Sequence, residues 1–133
     1  MDNGGPGMSL LHAVAFVDHQ KAQVLQFDAG QVLSHKVHEH VQATRQHGSG
    51  VRAEHEFFGQ VCDALAGIAE VWVVGGHTGL ADFRHYVEKH RPAAAKHLIG
   101  FEVVDHPTDN ELVALGRKRF LERERAARGP APG

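Results

Sequence analysis

The hydrophobic pattern of this chain predicts a mixed α/β sheet of about five strands with helices packed on it, in the order β-β-β-α-β-α-β-α. Two observations carry that expectation. Three short strand-like segments joined by tight turns open the chain, which points to an antiparallel meander. Beyond residue 52, apolar runs of strand length alternate with segments of helical period, which points to parallel pairing through crossover helices.

The elements follow in order. His12-Ala-Val-Ala-Phe-Val17 is a β-branched apolar run and predicts a strand over 12–17, ended by the polar Asp18-His19-Gln20-Lys21. Val24, Leu25 and Phe27 mark a second strand over 22–27, and Asp28-Ala29-Gly30 a second turn. Val32, His35, Val37 and Glu39 interleave with polar partners, predicting a third strand over 31–40. The apolar pattern then stops. Residues 42–51 read QATRQHGSGV, polar, basic and glycine-bearing, and predict a mobile loop.

Phe57, Phe58, Val61, Cys62 and Leu65 recur at helical spacing, predicting a helix over 53–66. The run Glu70-Val-Trp-Val-Val74 predicts a buried strand, and Gly75-Gly76-His77-Thr78-Gly79 a tight turn. Leu80, Phe83, Val87 and His90 mark a helix over 79–90, broken at Pro92 because proline cannot continue the ladder. Residues 98–104 predict the fifth strand. The last helix is expected over 109–121, capped by Asp109, with Leu112, Val113, Gly116 and Phe120 on one side. Residues 1–11 read as a flexible leader, 12–121 as a single domain and 122–133 as a charged, fraying tail.

The 133 residues suit one domain, and 42% hydrophobic content is enough for a core without a disulfide or structural metal. The one cysteine, Cys62, has no internal partner and lies on the apolar helix face, so it should be buried and inert. No apolar run approaches the roughly 18–20 residues of a membrane helix, and the opening residues lack a signal-peptide pattern. A cytoplasmic protein that does not engage membranes is expected. Net charge is -2 with histidine neutral, but twelve histidines would turn the chain cationic on mild acidification. From Arg117 to Arg128, six basic residues face two acidic ones. Such a stretch attracts phosphates, although a solvated helix end is the plainer reading.

Several segments carry a family resemblance: His12–Asp18 with Ala22–Phe27, His47-Gly48-Ser49-Gly50 before a helix, Glu70–Gly75 followed by Leu80-Ala81-Asp82-Phe83, and Phe101–His106 leading into the last helix. Together they resemble the middle domain of archaeal and eukaryotic peptide-chain release factors and of Pelota. They resemble more closely still the small bacterial translational machinery or host-attachment-like proteins of that superfamily. The resemblance spans residues 12–121 and implies a ribonuclease-H-like fold and a role in translation. In the release factors, the loop before the first long helix carries Gly-Gly-Gln, whose glutamine helps water attack the peptidyl ester. Here the corresponding stretch reads Arg45-Gln46-His47-Gly48-Ser49-Gly50-Val51. Glycines are present and the motif glutamine is not, which argues against peptide release. The resemblance covers neither the stop-codon-reading nor the C-terminal domain of those factors, so a complete release factor is not expected.

Three groups of residues invite a chemical reading. Arg45, His47, Gly48, Gly50 and Arg52 combine phosphate-binding side chains with glycines that let backbone N–H groups approach a phosphate, and Arg117, Lys118 and Arg119 add a second basic patch. An exposed loop with incidental charge is the alternative. Gly75, Gly76, His77 and Gly79 stand between a strand and a helix, where α/β folds hold anions. The segment matches neither GxGxxG nor a Walker loop, and a turn needing positive φ would explain its glycines. Asp18, Asp105 and Asp109 could converge on Mg²⁺ as a nuclease would require, although a turn and a helix cap account for Asp18 and Asp109. His35, His38 and His40 favour adventitious Zn or Ni, but no specific metal-ligand spacing is present. The leading expectation is a non-enzymatic, translation-associated module without a cofactor, contacting the ribosome or structured RNA and reading no DNA sequence. A metal-dependent nuclease and a protein-interaction scaffold are the alternatives.

Overall fold

The computed structural model describes residues 12–28, 31–38 and 49–128. Five strands and four helices follow in order: β1 (His12–Val17), β2 (Lys21–Asp28), β3 (Gln31–His38), α1 (Ser49–Ala64), β4 (Glu70–Gly75), α2 (His77–His90), α3 (Pro92–Ala95), β5 (Leu98–Val103) and α4 (Asp109–Arg128). They build one mixed sheet in the order β3-β2-β1-β4-β5. The meander pairs antiparallel, with Val14 opposite Leu25 and Val24 opposite His35. Past it the pairing turns parallel, with Val14 beside Trp72 and Val73 beside Phe101. The predicted fold class holds.

The period-2 alternation of each strand decides which helix covers which face. Ala13, Ala15, Val17, Val24, Val71 and Val73 point to one side, where Phe57, Phe58 and Val61 of α1 and Phe83 and Val87 of α2 bury them. Val14, Leu25 and Val74 point to the other, against Leu112 of α4. Gly116 lets α4 lie close to the sheet, since a Cβ there would meet the Phe27 ring at 2.5 Å. Phe120 completes this smaller core by stacking on the His12 ring at 4.3 Å. Removing a fully buried phenylalanine such as Phe58 typically costs about 3–5 kcal/mol, so these two cores fix the relative placement of the helices.

Several expectations at the element ends are corrected. Helix α1 begins at Ser49, not near residue 53, so Gly50 and Arg52 belong to its first turns. A glycine is tolerated there because the first four N–H groups of a helix have no internal acceptor to lose. Helix α2 likewise begins at His77, two residues early, and takes in most of the expected turn. Past the expected break, residues 92–95 form the short α3 with Pro92 at its first position. Helix α4 continues through the expected tail to Arg128. Its apolar stripe ends at Phe120, but Leu121 to Arg128 holds no helix breaker, and Arg123 reaches back to Glu70 at 3.2 Å.

The cap of α4 is Thr108, with Asp109 as the first helical residue. The Thr108 Oγ1 accepts the Glu111 N–H at 3.1 Å and the Glu111 carboxylate accepts the Thr108 N–H at 2.8 Å. This reciprocal pair satisfies two donors where a lone Asp109 cap would satisfy one. The positive-φ explanation of the Gly75–Gly79 segment also fails, because among the described residues only Gly67 (φ 85) and His106 (φ 45) lie in that region. Gly75 is required for a different reason: a Cβ there would meet the carbonyl oxygen of Val17, its register partner on β1, at 2.3 Å. Among the described residues, no helix is long and apolar enough to cross a membrane.

Candidate functional site

The parallel strands β1, β4 and β5 end on the same side of the sheet, and residues of the turns after them, with residues of β2 and β3, line an open cavity of about 510 Å³. Asp18 follows β1. Its N–H donates to the Lys21 carbonyl at 2.8 Å and its carboxylate accepts the His19 N–H at 2.7 Å, which makes it a turn residue as expected. Asp105 and His106 follow β5, side by side at 3.5 Å and almost fully exposed. His106 holds a left-handed backbone that costs about 1 kcal/mol in a residue other than glycine. Lys21, Lys36, His38 and Gly76 line the same cavity, so its charge is mixed.

Of the three acids proposed for Mg²⁺, Asp18 and Asp105 therefore share this cavity, while Asp109 lies outside its lining in the first turn of α4. Among the described residues, the one group of three donors that converges is His19, Glu54 and Asp82, and it contains none of them. In the glycine segment, Gly76 caps α2 through an extended backbone (φ -69, ψ 161), with no side-chain hydrogen bond at the cap. His77 is exposed in the first turn, and Gly79 is buried where a Cβ would lie 3.5 Å from the Asp18 Cα.

The basic candidates separate. Arg45, His47 and Gly48 lie outside the described residues, as do His40 and the expected loop up to residue 48. Arg52 is exposed on α1 and borders a groove shared with His55, Tyr86 and Arg91. There three rings pack together: His55 on Tyr86 at 5.2 Å, Tyr86 on His90 at 5.0 Å, and His55 on His90 at 5.4 Å. Tyr86 is buried while both histidines face solvent, and Lys89 and Arg91 stand nearby. Arg91 donates to Asp63 at 3.2 Å, and that bond holds its guanidinium charge more firmly.

The second basic patch lies on α4, across the sheet from α1 and α2, so the two patches do not form one surface. Arg117 and Lys118 are exposed there. Arg119 is not free: its Nε and Nη2 donate to the two oxygens of Glu102 at 2.8 and 3.0 Å, and its Nη1 to Glu122 at 3.0 Å. The Trp72 indole also donates to Glu102 at 3.1 Å, and the guanidinium lies 5.9 Å from the Trp72 ring. The Arg119 bonds, followed by Trp72, hold the Glu102 carboxyl below the usual range. Hydrogen bonds to charged groups are each worth about 1.5–3 kcal/mol, more than an exposed phosphate contact would return, so Arg119 is a tie between β5 and α4. Cys62 is buried as expected, and burial pushes its thiol up to about 11.

Sequence reasoning missed two clusters. Of the ring group, only Tyr86 and His90 are neighbours in sequence terms, four apart on α2, and His55 joins them from α1. His19, Glu54 and Asp82 come from the β1–β2 turn, α1 and α2 and have no spacing signal at all. His19 Nε2 sits 2.9 Å from Asp82 and 3.9 Å from Glu54, and Asp18 is 4.0 Å from Nδ1. The Asp82 bond raises the His19 pKa above its ordinary value against the opposing effect of burial, with help from Glu54 and Asp18.

No family model and no curated protein matches the chain by sequence. Solved structures are similar to it. Pelota from Archaeoglobus fulgidus superposes on 84% of the chain at a TM-score of 0.58 and 17% identity. An archaeal translation termination factor superposes on 89% at a TM-score of 0.54 and 16% identity. The fold is one that these translation proteins contain. The resemblance expected from sequence to their middle domain is borne out at the level of fold. The chain spans 32% of that Pelota and 42% of that termination factor. A looser likeness, at a TM-score of 0.42 and 12% identity, is to ribonuclease H1 from Halobacterium salinarum.

Proposed function

We propose that this chain is a translation-associated, non-enzymatic module that acts in the cytoplasm and contacts structured RNA, with the ribosome as its partner, through the start of α1 and the α1–α2 groove. The observation that carries this reading is the fold likeness to Pelota and to a translation termination factor, together with where it puts Arg52. Arg52 borders the groove that holds the exposed His55 ring, which packs on the buried Tyr86, and arginine next to a stackable ring is the side-chain chemistry that single-stranded or looped RNA meets in proteins. Arg45, His47 and Gly48 immediately precede this helix in sequence and extend the same contact. Arg117 and Lys118 on α4 would serve a second, separate contact.

The test is co-sedimentation of the full chain with ribosomes from its own cell, at low and high salt. Salt-sensitive association that weakens in an Arg45→Ala/Arg52→Ala variant supports the reading. Mg²⁺-dependent cleavage of RNA that disappears in Asp105→Asn would support a nuclease instead, a reading favoured only by Asp18 and Asp105 sharing one cavity.

A further inference from the structure

We propose that His19, Glu54 and Asp82 form a binding site for one divalent transition-metal ion of the zinc class. One donor atom from each residue, an imidazole nitrogen and two carboxylate oxygens, lies within 4.8 Å of the other two. A tetrahedral ion with bonds of about 2.0–2.1 Å needs donors roughly 3.3–3.4 Å apart, so small side-chain shifts close the site. The carriers are held firmly. Asp82 precedes the fully buried Phe83, Glu54 lies one turn before Phe57 and Phe58, and the His19 turn is closed by the Asp18 to Lys21 hydrogen bond.

Charge supplies an independent reason. Among the described residues, neither Glu54 nor Asp82 has a lysine or arginine ion-pair partner; His19 is the side chain that bonds to them, while Lys89 lines the same pocket without pairing to either. Asp18 adds a third carboxylate beside the same ring. With neutral histidine the group is strongly anionic, and a divalent cation would compensate it. The single imidazole favours zinc, cobalt or nickel over magnesium, which prefers an all-oxygen octahedron. Three protein donors on a partly exposed site leave at least one position for water or an anionic oxygen. The ion would tie α1, α2 and the β1–β2 turn together.

The test titrates Co²⁺ or Zn²⁺ into the chelator-stripped full chain without RNA, following the cobalt visible spectrum and the heat of zinc binding. Because no RNA is present, the outcome is independent of the RNA reading. Wild type should bind one ion per chain more tightly than any other. Asp82→Asn and His19→Ala should each weaken that ion by about tenfold or more, the size of loss seen even when only an outer partner of a ligand is removed. His97→Ala, an exposed histidine in the turn before β5 and outside the pocket that Glu54 and Asp82 line, should leave it unchanged. Far-UV circular dichroism in chelator checks folding, and His19→Gln replaces His19→Ala if that variant is unfolded. Equal affinity in wild type and the His19 variant would assign the metal to surface histidines and overturn the site. Absence of a tightest single site in wild type would overturn it as well.

Discussion

Glu102 shows how much of this molecule depends on one side chain. It accepts from Arg119 twice and from Trp72 once, and so joins β5, β4 and α4. Both members of the ion pair are less than one-third exposed. Glu102→Gln keeps the shape but removes the charge, and should destabilise the fold by about 1–2 kcal/mol in urea unfolding at neutral pH. The sign of the pH dependence follows from the lowered carboxyl pKa. The pair's contribution is present above the unfolded carboxyl pKa and is lost as pH falls through the lower folded value. The stability gap between wild type and Glu102→Gln should therefore narrow between about pH 5 and pH 3. A gap that stays constant across that window would mean that packing, not the ion pair, joins α4 to the sheet.

At the scale of elements, helix ends test the local physics best. Thr108 and Glu111 satisfy two of the free donors at the start of α4. Thr108→Ala should cost about 1 kcal/mol by thermal or urea unfolding, while Asp109→Ala should cost clearly less, because Asp109 contributes only near the helix dipole. Equal losses would return the cap to Asp109. The strands were legible from sequence because alternation of period two has few competing explanations: His12–Val17 matches the expectation residue for residue, and β2 and β5 match it to within a residue. Helix ends were less so. Apolar periodicity reports where a helix touches the core, and α4 continues past Phe120 on propensity and on the Arg123–Glu70 pair. The start of α1 was misplaced for the same reason, since Ser49 to Arg52 precede its first core contact at Phe57.

The candidate site was less legible than the fold. Arg52 stood out by its neighbours in sequence, but His55, Tyr86 and His90 gained their meaning only when α1 and α2 packed side by side. His19, Glu54 and Asp82 likewise meet across 63 positions of chain, a distance no local pattern spans. Conversely, Arg119 looked like part of a basic patch because sequence shows charge and not its partner on β5.

For the whole molecule, the likeness to Pelota and to a termination factor extends to the fold, while no Gly-Gly-Gln occurs in the 133 residues. Supplied with ribosomes and peptidyl-tRNA, the chain should release no peptide above background. Release would mean that another group orients the attacking water. The proposed RNA contact is tested most directly by a salt titration of the full chain against labelled structured ribosomal RNA, in wild type and Arg45→Ala/Arg52→Ala. The variant should bind more weakly, and its logarithmic salt slope should flatten by about 0.7 to 0.9 for each phosphate it no longer neutralises. Unchanged affinity and slope in the variant would contradict an RNA contact at the start of α1.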